Sequence, residues 1–237
     1  MINYSNFIGY FELSTKHKIL FENDSKINDL SVKRLSNRII KIGNSISKSE
    51  IDFLIEEINQ NESIPVGIDG IASNYRKGDV VHSYRSTIYN EYIASVIYSR
   101  IAHLLESTIS PYHQDNNLFI PIAVNPAFRF IRYSENGFLV PHYDFPYKKD
   151  EDILSLMSLV IYLSKSGSGG HTQFIKEYRE NDYSDWNRIA NESEIFLDLA
   201  LNEGDCLLFP HNLLHQSSIN RGDKIILRTD IMFKRKI

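Results

Sequence analysis

The chain has 237 residues, of which 42% are hydrophobic and 24% charged, enough apolar material for a sizeable core and too much for wholesale disorder. Its 26 basic and 30 acidic residues leave a net charge of −4, which lacks the basic footprint needed by a general nucleic-acid binder or an anionic-membrane binder. One cysteine, Cys206, excludes an internal disulfide framework and a cysteine-rich zinc site, and no apolar run approaches the ~18 residues of a membrane span. Met1 to Leu20 mix polar and charged residues without the apolar stretch of a secretory signal, so the expectation is a soluble, cytoplasmic, single-domain protein. Nothing in the sequence specifies an oligomeric state.

Fourteen Tyr and thirteen Phe favour strands, because flat rings pack well on pleated surfaces. The N-terminal part, residues 1–125, reads as an irregular lead-in followed by helices, expected to serve as helical support and lid. Ser47 and Glu50 have the spacing of a capping box, and Ile51, Leu54, Ile55 and Ile58 then recur at helical spacing. A loop runs from Asn61 to Val80. A second helix is predicted over Asn90–Thr108, with Ile93, Val96, Ile97, Ile101, Leu104 and Leu105 as its buried stripe. Beyond Pro126 the texture changes to short strands, predicted at Ala127–Tyr133, Phe138–His142, Leu156–Leu163, His171–Ile175, Ile195–Ala200, Cys206–Phe209, Asn212–Ser217 and Lys224–Phe233. Turn clusters separate several of them. Such a run predicts a mainly β fold with supporting helices, a jelly-roll barrel core over residues 126–237. Tyr178–Glu194 reads as an inserted surface loop.

The strongest local signal is Pro141-His142-Tyr143-Asp144. Residues i and i+2 of a strand share a face, so His142 and Asp144 can offer an imidazole nitrogen and a carboxylate oxygen together. A lone pair of this kind is more often structural than metal-binding; a third ligand downstream changes the balance. His211 and His215 compete for that place, and His215 is preferred because His211 directly follows a proline and reads as a surface or supporting residue. Two His and one carboxylate leave adjacent positions open on an octahedral iron, the facial triad of non-haem Fe(II) oxygenases. The last strand places Lys224, Ile226, Arg228 and Asp230 on one face. A cation there can grip the distal carboxylate of 2-oxoglutarate, for which a guanidinium is better shaped than an ammonium. The bland reading of Arg228 is a strand-face ion pair with Asp230.

From about Asn125 onward these pieces resemble the iron(II)/2-oxoglutarate-dependent dioxygenases, in particular the prolyl 4-hydroxylase-like branch. The matching residues are Arg129 to Tyr133 with Gly137, His142 and Asp144, Gly169 to Phe174, Gly204 to His215, and Gly222 to Lys224 with Arg228 to Asp230. The resemblance implies a double-stranded β-helix, Fe(II) as metal, 2-oxoglutarate and O2 as cosubstrates, succinate and CO2 as products, and ascorbate as an in vitro reductant. It places His142, Asp144 and His215 on the iron ligands and Tyr133 on a tyrosine that reaches the 2-oxoglutarate. The anchoring cation is expected to be Arg228, thirteen residues after His215, ahead of Lys224, nine after it, which follows a turn and is expected at the barrel rim. An aspartate at position 144 favours hydroxylation over halogenation.

The expected function is therefore hydroxylation of an unactivated C–H bond of a small molecule, such as a free amino acid or a biosynthetic intermediate. A prolyl 4-hydroxylase-like enzyme acting on a peptide or protein is the alternative. Two readings of other classes are a non-catalytic jelly-roll metal- or ligand-binding protein and a cupin-type isomerase. Arg129 shares a strand face with Tyr133 and can meet an anionic substrate group or a structural partner. Cys206 reads as a buried small hydrophobe, and His171, His103 and His113 as surface or satisfied histidines.

Overall fold

Strand alternation sorts the side chains of the large sheet into two cores. The structure, a computed structural model, describes residues 9–23, 30–108, 112–114, 117–165, 169–176 and 187–236. All eight strands expected after Pro126 are present. They are β7 (Ala127–Tyr133), β8 (Leu139–His142), β9 (Ile153–Tyr162), β10 (Thr172–Ile175), β11 (Ile195–Leu199), β12 (Cys206–Pro210), β13 (His215–Ser217) and β14 (Lys224–Lys236). β7, β9, β12 and β14 lie in a large antiparallel sheet, and β11-β10-β13-β8 form a small one, which is the jelly roll.

Along the large sheet, Phe128, Phe130, Leu159, Ile161, Cys206, Leu208 and Leu227 pack into one core with the helices. The alternate residues Ile131, Tyr133, Val160, Tyr162, Leu207, Phe209 and Ile226 face Phe174 and Leu213 of the small-sheet side in a second core. The first core seals the support layer; the second is the barrel interior.

Six further strands precede residue 126, where helices and loops were expected: β1 (Ser31–Arg34), β2 (Ile40–Gly43), β3 (Ile64–Val66), β4 (Ser83–Tyr89), β5 (Tyr112–Gln114) and β6 (Asn117–Val124). They widen the large sheet. β2 pairs with β12, β4 with β7, and β6 with the far half of β14. β2, β4 and β6 find these partners far along the chain, and β1, β3 and β5 add to them as local neighbours, so pairing rather than local propensity makes these segments strands. The expected surface loop Tyr178–Glu194 lies largely outside the described residues, as does the side chain of His113. Among the described residues no helix is long and apolar enough to cross a membrane.

The helices are α1 (Lys16–Asn23), α2 (Lys48–Gln60) and α3 (Glu91–Thr108). The capping box forms as read: the Glu50 amide donates to Ser47 Oγ at 3.3 Å and the Ser47 amide to Glu50 Oε2 at 2.8 Å. Of α3's expected stripe, Ile93, Ile97, Ile101 and Leu105 are at most 1% exposed, while Val96 and Leu104 are partly buried. Glu50 also ties α2 to α3. Its two carboxylate oxygens take both terminal nitrogens of Arg100, at 2.7 and 2.9 Å, with both side chains essentially solvent-free.

Breaking such a buried pair from one side leaves an uncompensated charge, at a typical cost of ~3–5 kcal/mol. Arg100→Ala is expected to lose that much stability in urea unfolding, and Glu50→Ala more, since it also uncaps α2. A loss below about 1 kcal/mol for Arg100→Ala would show that apolar packing alone joins the helices.

Candidate active site

The small sheet brings two histidines face to face. His142 ends β8, His215 begins β13, and the two are directly paired across the antiparallel ladder, with ring centroids 4.2 Å apart. Each ring is pinned by its own backbone: His142 Nδ1 lies 2.8 Å from the Val140 carbonyl, and His215 Nδ1 lies 2.9 Å from that of Leu213. A carbonyl can only accept, so each Nδ1 carries the proton and each Nε2 keeps a free lone pair. Those lone pairs converge on Asp144. His142 Nε2 is 3.9 Å from Oδ1 and His215 Nε2 is 3.7 Å from Oδ2, and the ligand atoms of all three residues lie within 4.8 Å of one another. Asp144 sits just past the end of β8, held by its amide donating to the His211 carbonyl at 3.2 Å.

Electrostatics suits a cation at this point. Burial pushes both histidines down, His215 to about 3, so both are neutral near pH 7 and able to ligate. Burial also pushes the Asp144 carboxyl up, but the Arg228 guanidinium and a hydrogen bond from Ser158 outweigh it and hold the group below the usual carboxylate range. A neutral His pair with one anionic carboxylate is a hard-to-borderline donor set for a divalent metal. His211 does not join it. It is 6% exposed, not at the surface, and its Nε2 lies 3.3 Å from Asp230.

The large sheet supplies the opposite wall, and there the structure separates the two cations that strand parity could not. Arg228, the expected anchor, directs one terminal nitrogen at Asp144 Oδ1 (2.9 Å) and Asp230 Oδ1 (3.3 Å), so its guanidinium is engaged at the metal end. Lys224 is not at the rim. It is 2% exposed, its Nζ donates to Ser217 Oγ at 2.7 Å, and it stands 4.4 Å from the centre of the Tyr133 ring and 5.9 Å from that of Tyr162. No carboxylate among the described residues pairs with it, and burial pushes its ammonium down to about 7.

The preceding turn explains the depth. Asn220 Nδ2 donates to the carbonyls of Tyr133 and Ser134, at 3.3 and 3.1 Å, folding the turn over the barrel end. Gly170 covers the lysine at φ +69°, where a Cβ would sit 3.0 Å from Lys224 Cδ and 2.9 Å from Asn220 Oδ1. Tyr133 is paired across the strands with Lys224 and 6% exposed; burial raises its phenol to about 12, against a hydrogen bond with Ser217 that lowers it.

Lys224, Tyr133, Ser217, His142, Asp144 and His215 line one small cavity, with Ile131, Val160, Phe209 and Ile226 as apolar walls. Ser158 and Ser217 were not singled out from the sequence. A hydroxyl inside the otherwise apolar run Leu156–Leu163 was the available signal for Ser158. Elsewhere, His171 pairs with Asp198 at 3.1 Å, His103 is exposed, and Cys206 is fully buried with its thiol pushed up to about 12 by desolvation.

Residues 128–229, which carry the triad and both cations, match the model of the 2OG-Fe(II) oxygenase superfamily. That segment belongs to the 2OG-Fe(II) oxygenase superfamily. The fold agrees. A Trichoplax adhaerens prolyl hydroxylase, solved with a hypoxia-inducible-factor peptide fragment, is 13% identical with a TM-score of 0.53, over 92% of this chain and 93% of that one. The structure of OsALKBH1 is 12% identical with a TM-score of 0.53, over 84% and 99%. The 2-oxoglutarate-dependent epimerase SnoN of nogalamycin biosynthesis is 13% identical with a TM-score of 0.50, over 83% and 78%. No curated protein sequence matches the chain. The protein is an oxygenase whose metal is Fe(II) and whose cosubstrates are 2-oxoglutarate and O2. Its residues fit them, with two free Nε2 lone pairs and a carboxylate at one end of the cavity and, at the other, a buried lysine with no carboxylate partner among the described residues.

A lysine that loses its proton near pH 7 when folded and near 10.5 when unfolded makes stability rise with pH between those values, because the unfolded chain then binds more protons. Chemical denaturation of the ligand-free protein from pH 7 to 10 is expected to show this rise. Lys224→Met should be flatter over the same range. An equal slope in both proteins would place the pH dependence elsewhere.

Proposed function

We propose that the protein hydroxylates an unactivated C–H bond of a small molecule, with His142, Asp144 and His215 holding the iron and Lys224 anchoring 2-oxoglutarate. The observation that carries this reading is the pairing, in one small cavity, of a His-Asp-His cluster with a buried lysine that has no anionic partner among the described residues. Bound Fe(II), with 2-oxoglutarate and O2, supplies the oxidising chemistry and leaves succinate and CO2 as coproducts.

The chain's own residues have distinct tasks. Val140 and Leu213 carbonyls hold the two imidazoles in the ligating tautomer. Arg228 and Ser158 keep Asp144 anionic and oriented. Lys224 gives the distal carboxylate of 2-oxoglutarate a charge-assisted contact, flanked by the hydroxyls of Ser217 and Tyr133. Ile131, Val160, Phe209 and Ile226 keep the cavity dry, which strengthens each polar contact. Lys224 thus takes the role expected of Arg228, one terminal nitrogen of which is held between two carboxylates. A peptide substrate is the second reading, favoured by the exposed aromatic run of Tyr143, Phe145 and Tyr147 immediately beyond the cluster.

Iron-dependent succinate formation, with mass spectrometry of a product gaining one oxygen, tests the reaction. His142→Ala and His215→Ala are expected to abolish it and to lose the visible spectrum of the cobalt-substituted protein. Asp144→Ala is expected to lose hydroxylation. Removing one partner of a desolvated charged contact costs ~2–5 kcal/mol, or roughly 30- to 5,000-fold. Lys224→Ala should therefore raise the 2-oxoglutarate requirement at least ~30-fold, while Arg228→Ala changes it only a few-fold and weakens metal retention. The reverse ranking would return the anchor to Arg228.

A further inference from the structure

The inner face of the large sheet does not end at Arg228. Across β14, β7 and β4, Arg228 is paired with Arg129 and Arg129 with Thr87, while Ile226 is paired with Ile131 and Ile131 with Arg85. Directly paired residues of antiparallel strands share a face. Arg129 and Arg85 therefore extend the wall that carries Lys224, Tyr133 and Arg228. With adjacent strands about 4.8 Å apart, they stand roughly one and two strand widths from Arg228.

Neither guanidinium is spoken for. Among the described residues, Arg85 and Arg129 make no ion pair or hydrogen bond, and Arg85 Nε is buried without a partner. Gly70, at φ +68°, lies over Arg85, close enough that a Cβ would come within 3.4 Å of its Nη2. Desolvation pushes both groups down, helped by Arg228 beside Arg129 and by Arg129 and Arg228 beside Arg85, which falls to about 10. Arg100 shows what a structural buried arginine looks like in this same fold: both terminal nitrogens are matched to Glu50.

Charge balance points outward from the molecule. Among the described residues, Lys224, Arg85, Arg129 and Arg228 face only Asp144 and Asp230 on this wall, and a divalent metal with a doubly charged 2-oxo diacid leaves the excess unchanged. We propose that Arg85 and Arg129 form a subsite for a carboxylate of the substrate, so that the enzyme oxidises an organic acid whose target carbon lies a few bonds from that group. The inference rests on the oxygenase reading above. A guanidinium pair matches a carboxylate by forked hydrogen bonds, and the mouth of the cavity beside Asp144 is where those bonds position a neighbouring C–H.

Thermal unfolding of the zinc-loaded protein, saturated with 2-oxoglutarate so that Lys224 is occupied, tests the subsite with acetate as carboxylate probe and acetamide as its neutral match. At constant ionic strength, acetate is expected to raise the melting midpoint by about 2 °C or more as it saturates, and acetamide to leave it unchanged. Arg85 and Arg129, each changed to Met and to Gln, are expected to lose the acetate effect. Without acetate these variants should melt higher than the wild type, because a half-buried cation with no partner among the described residues has been removed from beside other cations. Equal responses to acetate and acetamide, or a lower melting midpoint in all four variants, would overturn the subsite. Iron-dependent succinate formation by the wild type without added substrate is the separate control; its absence would instead defeat the oxygenase reading.

Discussion

An ammonium group buried to 2% exposure against a hydroxyl and two aromatic rings, with no carboxylate beside it among the described residues, is an unfavourable thing to fold around. The fold keeps Lys224 there by stacking constraints on it. The cross-strand partner Tyr133, the Asn220 hydrogen bonds that close the preceding turn, and the absence of a side chain at Gly170 leave the lysine one place to go. In the function proposed above, that cost is offset when an anion arrives, and the position of the charge would set the orientation of an acid bound between it and the histidines.

The other end of the cavity is built by the opposite logic. The three donor residues each have a neighbour that orients them: the Val140 and Leu213 carbonyls for the imidazoles, and Ser158 and Arg228 for Asp144, while the Arg228 nitrogen that reaches Asp144 also reaches Asp230. Asp230 in turn faces His211. This chain of contacts fixes the geometry of the donors before any metal binds, which is how a protein tunes a site beyond its direct ligands. One end of the barrel thus sets charges of both signs against each other, and the other leaves Lys224 without a carboxylate among the described residues.

Much of this was legible in the residues. Period-two alternation and turn clusters located all eight jelly-roll strands, Ser47 and Glu50 announced α2, and the spacing of His142, Asp144 and His215 selected the three side chains that converge. Depth was not legible. Arg228 and Lys224 share a strand face, so periodicity treats them alike, and guanidinium shape argued for Arg228; the carboxylates on Arg228 and the turn folded over Lys224 are what favour the lysine as the proposed anchor. Arg85 was invisible for a related reason. It lies in a seven-residue strand, Ser83–Tyr89, that becomes part of the barrel wall only through its pairing with β7, far along the chain.

The central claim is that one ligand spans the cavity from the metal to Lys224. It is tested most directly by comparing 2-oxoglutarate with 2-oxobutanoate, which has the same chelating end and no distal carboxylate. Binding to the Fe(II)-loaded protein is read anaerobically from the visible absorption of the chelate. Wild type is expected to bind 2-oxoglutarate at least ~30-fold more tightly, and Lys224→Ala to bind the two almost equally. A preference for 2-oxoglutarate that survives in Lys224→Ala would contradict the claim.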